Sequence, residues 1–169
     1  NKSVQKLFKI GPNLALTTAG LVGHAQSLSR TLNAETTLFQ LRRGHTMTVK
    51  GAATLTANIL LGRPYWVQLL IVGVDDTGPS VYSIDGAGGS IPDVYCATGS
   101  GSPYMYGVLE DGFRDGMQKS DAIKLAARAL LASGQRDAAS GNGMDLAFIT
   151  ESEGFVKLSD DEVDKIIAS

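Results

Sequence analysis

Residues Trp66 to Val74 are almost continuously apolar, the pattern of a strand covered on both faces. A chain with such a strand must put layers on either side of it, and the flanking segments supply them. Val4 to Ile10 alternates loosely, Gly11-Pro12-Asn13 reads as a turn, and Leu14 to Ala19 returns, so the N-terminal part predicts a hairpin. From Leu21 the period changes to that of a helix, with Leu21, Ala25, Leu28, Leu32, Leu38 and Leu41 expected on one face and a stop at Gly44-His45. A second helix is predicted near Val49 to Leu61, ended by Gly62 and Pro64. After the apolar run, Val81 to Ile84 and Val94 to Thr98 read as strands around the Asp85-Gly86-Ala87-Gly88-Gly89 turn. A helix is expected after Ser102-Pro103, since proline suits a first helical turn, and another from a Ser120 cap to about Ser133. Met144 to Thr150 and Phe155 to Leu158 form a closing hairpin. Ser159 and Glu162 make a capping box, Leu158 is placed to staple onto Val163, and the last helix buries Val163, Ile166 and Ile167.

Helices thus arrive in pairs between groups of strands. That order argues for stacked sheets with helical layers outside, not for alternating βαβ units. The 169 residues fit a single domain spanning 1–169, with no repeat and no linker. The first hairpin would leave its outer edge uncovered, which a further N-terminal hairpin would explain.

Composition excludes several functions. A net charge of −2 offers no basic field for a phosphate backbone, so nucleic acid is not an expected partner. The longest apolar run, Pro64 to Val74, falls short of the roughly 20 residues a membrane helix needs. One cysteine, Cys96, precludes an internal disulfide and suits a reducing compartment; it is expected to pack in its strand. The expectation is a cytoplasmic, soluble protein. His24 and His45 lack partners at metal-ligand spacing, so no metal and no cofactor are expected. Gly86-Ala87-Gly88-Gly89 lacks the Lys-Ser/Thr ending of a phosphate loop and reads as a hairpin turn.

Lys6 allows two readings. It is an outward-facing lysine of an alternating strand, or a lysine whose ammonium lowers the pKa of a neighbouring nucleophile. Ser100 with Ser102, and Asp137 with Ser140, are turn formers and caps, or hydroxyls and a carboxylate that orient an amine or a water.

Several motifs in sequence narrow the choice: Lys6-Leu7-Phe8, Thr18-Ala19-Gly20-Leu21-Val22-Gly23, Ser83-Ile84-Asp85, Thr98-Gly99-Ser100-Gly101-Ser102-Pro103, Tyr106-Gly107-Val108-Leu109-Glu110 and Arg136-Asp137 with Ser140-Gly141. In this order and spacing the chain resembles a proteasome β-type subunit of the archaeal kind, a family of N-terminal-nucleophile hydrolases. The resemblance runs from about Val4 to the C-terminus. It implies an α+β fold, a four-layer αββα sandwich. It also implies peptide-bond hydrolysis by an N-terminal threonine whose own amine acts as base. Lys6 then tunes the nucleophile, the Gly20 amide donates to the oxyanion, and Ser100, Asp137 and Ser140 hold the threonine's amine and its water. The threonine and the aspartate that follows it belong before Asn1, so the hairpin carrying them is expected to be missing from this chain. Val4, Phe8, Thr18, Val22 and Gln26 are expected to line an apolar substrate pocket. Asp85 is the candidate for reaching a neighbouring site. His24 stands where the family often has an acidic residue, and the loop at Gly62-Arg63 looks shorter than usual.

The implied partners are proteasome α subunits, other β subunits in a seven-membered ring, a regulatory ATPase or cap acting through the α ring, and unfolded polypeptide substrates. Two alternatives stay open: a structural ring subunit without activity of its own, and an amidohydrolase acting on small amides.

Overall fold

A computed structural model describes residues 6–20, 22–61, 67–84, 89–99, 101–134 and 143–169. The chain divides into two compact units, one formed by residues 3–98 and 149–155, the other by 1–2, 99–148 and 156–169. The element order is the one the sequence predicts: two strands, two helices, three strands, two helices, two strands and a helix. All pairings in the larger sheet are antiparallel, and helices and strands are segregated along the chain, which makes the fold α+β.

The sheet unit holds β1 (Leu7–Gly11), β2 (Leu14–Gly20), β3 (Val67–Asp75), β4 (Gly78–Ile84) and β5 (Ser90–Asp93), hydrogen-bonded in that spatial order. One face carries Phe8, Ile10, Leu14, Leu16, Leu69, Ile71 and Ile84. It is covered by α1 (Val22–Arg43) through Ala25, Leu28 and Leu32, and by α2 (Val49–Leu60) through Val49, Ala52, Ala53, Ala57 and Leu60. These side chains are buried, so truncating any of the leucines to alanine costs about 2–5 kcal/mol. Gly73 lies on the same face, and a Cβ there would stand 2.4 Å from the Asn13 carbonyl oxygen. Only glycine lets the β1–β2 turn approach β3 so closely.

Three expectations in this unit need correction. Leu38 and Leu41 do not share the core face of α1; they are 40% and 79% exposed. At about 100° per residue, nine residues turn Leu41 to the side opposite Leu32. The buried row continues instead through Thr36 to the half-buried Phe39. The strand expected at Val94 to Thr98 is β5, which lies earlier in the chain and pairs Ser90 against Ile84 and Asp93 against Val81. Pro92 is tolerated there because β5 is the last strand of the described sheet. Asp93 then accepts a hydrogen bond from the Val94 amide at 2.8 Å as the strand ends. Cys96 therefore lies outside any strand, half-buried.

The helical unit holds α3 (Ser102–Gly112), α4 (Lys119–Ala132) and α5 (Asp160–Ala168). Proline at position 103 sits in the first turn of α3. Ser120 is not the cap of α4. Its cap lies two residues earlier, at an extended Gln118, and Asp121 is in the first turn, where the helix dipole favours an acid. α5 has the predicted capping box, and Leu158 and Val163 are buried in one cluster with Ala127, Met144 and Leu146, as a staple requires. Ile166 and Ile167 pack against this cluster but stay half-buried. The last two strands, β6 (Ala147–Thr150) and β7 (Gly154–Lys157), pair as a two-stranded sheet.

Candidate functional site

The antiparallel β1–β2 hairpin brings the start of β1 beside the end of β2. Leu7 pairs with Thr17, so Lys6 stands opposite Thr18, whose amide donates to the Lys6 carbonyl at 3.0 Å. Directly opposed residues share a face. Lys6, Phe8 and Thr18 therefore belong to the helix-covered side, not to the outer side of an alternating strand. The outward lysine of this strand is Lys9, which is exposed. Phe8 and Thr18 are buried, while Lys6 is exposed at the open end of their row. An ammonium at the rim of an apolar face is positioned to act on a group placed over that face.

Gly20 is the last residue of β2, paired with Val67, and α1 begins at Val22. Gln26 lies one turn further along α1 and is exposed; its carbonyl accepts from the Ser29 hydroxyl at 2.9 Å. Lys6, Phe8, Thr18, Gly20 and the first turn of α1 thus gather at one end of the hairpin. Val4 and Asp85 lie outside the described residues, as does the side chain of Val22.

In the helical unit, Ser100, Asp137 and Ser140 lie outside the described residues; Gly99 and Gly101, on either side of Ser100, are described, as are Ser133 and Gly134. A Cβ on Gly101 would stand 2.3 Å from the Ser133 carbonyl oxygen. The loop that opens α3 therefore rests directly on the end of α4, and Ser133 and Gly134 lead into the Arg136-Asp137 motif. Ser133 is buried, with its hydroxyl donating to the Leu130 carbonyl at 2.6 Å. A groove between α3 and α4, lined by Tyr104, Val108, Arg128 and Leu131 among others, contains none of the candidate residues. Among the described residues no three of His, Cys, Asp and Glu are grouped to hold a metal ion, and no helix is long and apolar enough to cross a membrane.

Two residues outside the candidate set, Asn13 of the turn and Asp75, hold the frame under the first group. Asn13 donates from Nδ2 to the Val74 carbonyl at 2.7 Å and accepts from the Val74 amide at 3.1 Å, tying the hairpin turn to β3. Asp75 accepts from the Val49 amide at 2.9 Å, and from the Thr77 amide at 2.9 Å and hydroxyl at 2.6 Å. The Thr77 hydroxyl first, and then the Val49 amide, hold its carboxyl below the usual carboxylate value. Asn13 in a turn is an ordinary sequence signal; the reach from Asp75 to Val49 leaves none.

A family described as proteasome subunit matches residues 1–149. The proteasome subunit beta of Methanospirillum hungatei is 48% identical over 167 residues, covering 96% of this chain and 79% of the relative. That of Methanobrevibacter ruminantium is 47% identical over 167 residues, covering 99% and 80%. That of Methanosarcina barkeri is 47% identical over 173 residues, covering 100% and 82%. The chain belongs to the proteasome subunit family, as a β-type member of the proteasome core.

Proposed function

We propose that the full-length protein is a threonine endopeptidase of the proteasome core, acting on unfolded polypeptides without ATP. Its nucleophile is a threonine that precedes Asn1 on a further hairpin, the fold being completed as a four-layer αββα sandwich in one domain. The threonine hydroxyl attacks the peptide carbonyl and its α-amine serves as base, by way of a water. The Lys6 ammonium stabilises the deprotonated nucleophile. The Gly20 amide donates to the oxyanion of the tetrahedral intermediate. Ser100, Asp137 and Ser140 hold the amine and the water. Val4, Phe8, Thr18, Val22 and Gln26 receive the side chain before the cut bond, and with no acid among them they favour apolar or aromatic residues over basic ones.

The observation that carries this reading is the position of Lys6 opposite Thr18, at the open end of the row that also holds Phe8. A lysine on the outer side of the sheet could not serve a nucleophile seated over the apolar face.

The proposal extends to assembly. β subunits of this kind form a seven-membered ring against rings of α subunits in a closed chamber of the cytoplasm, reached through a regulatory ATPase or cap, with Asp85 reaching a neighbouring site. The test is peptide hydrolysis by the particle made from the full-length subunit and its α partner, with native mass spectrometry of the same sample. Hydrolysis after Leu or Tyr, abolished by a reagent that captures N-terminal threonines, is expected from a large two-component particle. A particle of that size with no hydrolysis leaves a structural ring subunit. Monomers that hydrolyse small amides leave the amidohydrolase reading.

A further inference from the structure

The side of the sheet to which Lys6 belongs is decided at an irregularity in β1. At the turn, Leu14 pairs with Gly11, and Leu14 faces the helices. Strict alternation backwards from Gly11 would put Lys9 and Leu7 on the helix side, and Phe8 and Lys6 on the other. Further from the turn, however, Lys9 pairs with Ala15 and Phe8 with Leu16, so one extra residue is taken up between Lys9 and Gly11. That residue is Ile10. A bulge of one residue exchanges the two faces of everything beyond it. It is this exchange that sets Lys6 and Phe8 on the face of Thr18.

A bulged residue loses its ladder partner, and its buried carbonyl needs another donor. Thr36 supplies it. Its hydroxyl, buried on the inner side of α1, donates to the Ile10 carbonyl. The same hydroxyl lies 3.1 Å from the Asn33 carbonyl, the bond it would make within its own helix. With one proton it serves one acceptor at a time, and Ile10 is the nearer. Gly11 adjoins this contact, and a Cβ there would stand at an ordinary 3.8 Å from the Thr36 oxygen.

We infer that Thr36 is a positioning residue for the peptidase reaction: its hydroxyl holds the Ile10 bulge, and the bulge holds Lys6 on the nucleophile's side of the sheet. The inference rests on the role proposed for Lys6. It predicts that a side chain far from the reacting atoms controls the chemical step more than substrate binding.

Thr36→Val keeps the shape and removes the donor, and Thr36→Ser keeps the donor. Both are measured in the full-length subunit assembled with its partner, beside Lys6→Ala. Thr36→Val is expected to lower kcat by about 10- to 100-fold, the scale of a small misplacement of a catalytic group, with KM changed by about threefold at most, because the interaction lost at Lys6 is made only in the transition state. The acidic limb of the kcat/KM profile reports the α-amine base, whose protonated form the nearby ammonium also disfavours, so displacing the ammonium moves that limb up by about half to one pH unit. Thr36→Ser is expected to restore the rate to within about threefold, since one retained hydrogen bond is the difference being read. Exchange of the Thr18 amide, bonded to the Lys6 carbonyl, is expected to quicken in the valine variant alone. If that variant does not assemble, Thr36→Ala, which leaves room around the bulge, is read in the same way. Near-normal kcat and an unmoved acidic limb in the valine or alanine variant, with Lys6→Ala inactive, overturn the role of Thr36. Near-normal turnover in Lys6→Ala overturns the reading beneath it.

Discussion

Helices α2 and α5 begin in opposite ways. α5 caps itself. The Ser159 hydroxyl accepts from the Glu162 amide at 3.2 Å, and the Glu162 carboxylate accepts from the Ser159 amide at 3.0 Å. All the partners lie within four consecutive residues. α2 is capped in part from nearby, its Gly51 amide donating to the Thr48 hydroxyl at 3.0 Å. The amide of its first residue, Val49, instead donates to Asp75, brought there by the end of β3. Both arrangements quench orphan amides of a first turn, and both leave a carboxyl below its usual value: Glu162 through the Ser159 amide first, Asp75 through the Thr77 hydroxyl first. The difference lies in what each bond reports. The α5 cap secures one helix; the α2 cap locks helix to sheet, next to the Asn13 turn that sets the hairpin bearing Lys6.

The contrast can be broken hardest at Gly73. A methyl group there meets the Asn13 carbonyl oxygen at 2.4 Å and the Leu14 side chain at 2.7 Å. Gly73→Ala is expected to cost about 3 kcal/mol or more, because backbone must move, read by denaturant unfolding of the full-length subunit. A loss under about 1 kcal/mol would show that the turn is not pinned to β3. Next in size is Asp75→Ala, which strips acceptors from Val49 and Thr77 and is expected to cost about 1–2 kcal/mol. Hydrogen exchange should quicken together in the first turn of α2 and around Thr77. Quickening confined to one of them would deny the link between helix and sheet. Ser159→Ala is expected to cost about 1 kcal/mol, with faster exchange limited to α5.

Acid gives the smallest effect and the finest discrimination. Asp75 is depressed in the folded chain, so the stability it contributes is present above the unfolded carboxylate pKa, about 3.9. That stability is lost as pH falls through the lower folded value. The gap between wild type and Asp75→Ala should therefore be constant near neutrality and narrow below about pH 4. A gap that is unchanged at pH 3 would mean that the charge of Asp75 plays no part in the cap.

The same contrast explains what the sequence made legible. The capping box, the Leu158 staple and the order of elements are written in near neighbours, and they form as read. The existence of a strand returning to β4 was legible, but its position was not, because pairing with β4 drew Ser90 to Asp93 into the sheet ahead of the more apolar Val94. Leu41 looked like core because leucine is apolar; its angle around α1 puts it in solvent. At the candidate site, the hairpin made the meeting of Lys6 with Thr18 legible. The face they share was not, since that depends on a bulge held by a threonine 26 residues away.

The proposed activity stands or falls on Lys6, and turnover by the assembled, full-length particle tests it most directly. Lys6→Ala should lower kcat by about 100-fold or more, the scale on which a positioned charged group acts in the chemical step, with the particle intact by native mass spectrometry. Lys6→Arg should fail as well, because a planar guanidinium is bulkier than the compact point charge of an ammonium and spreads its charge over a fork. Near-normal turnover in either variant would contradict the account and leave Lys6 as an ordinary lysine at the rim of the sheet.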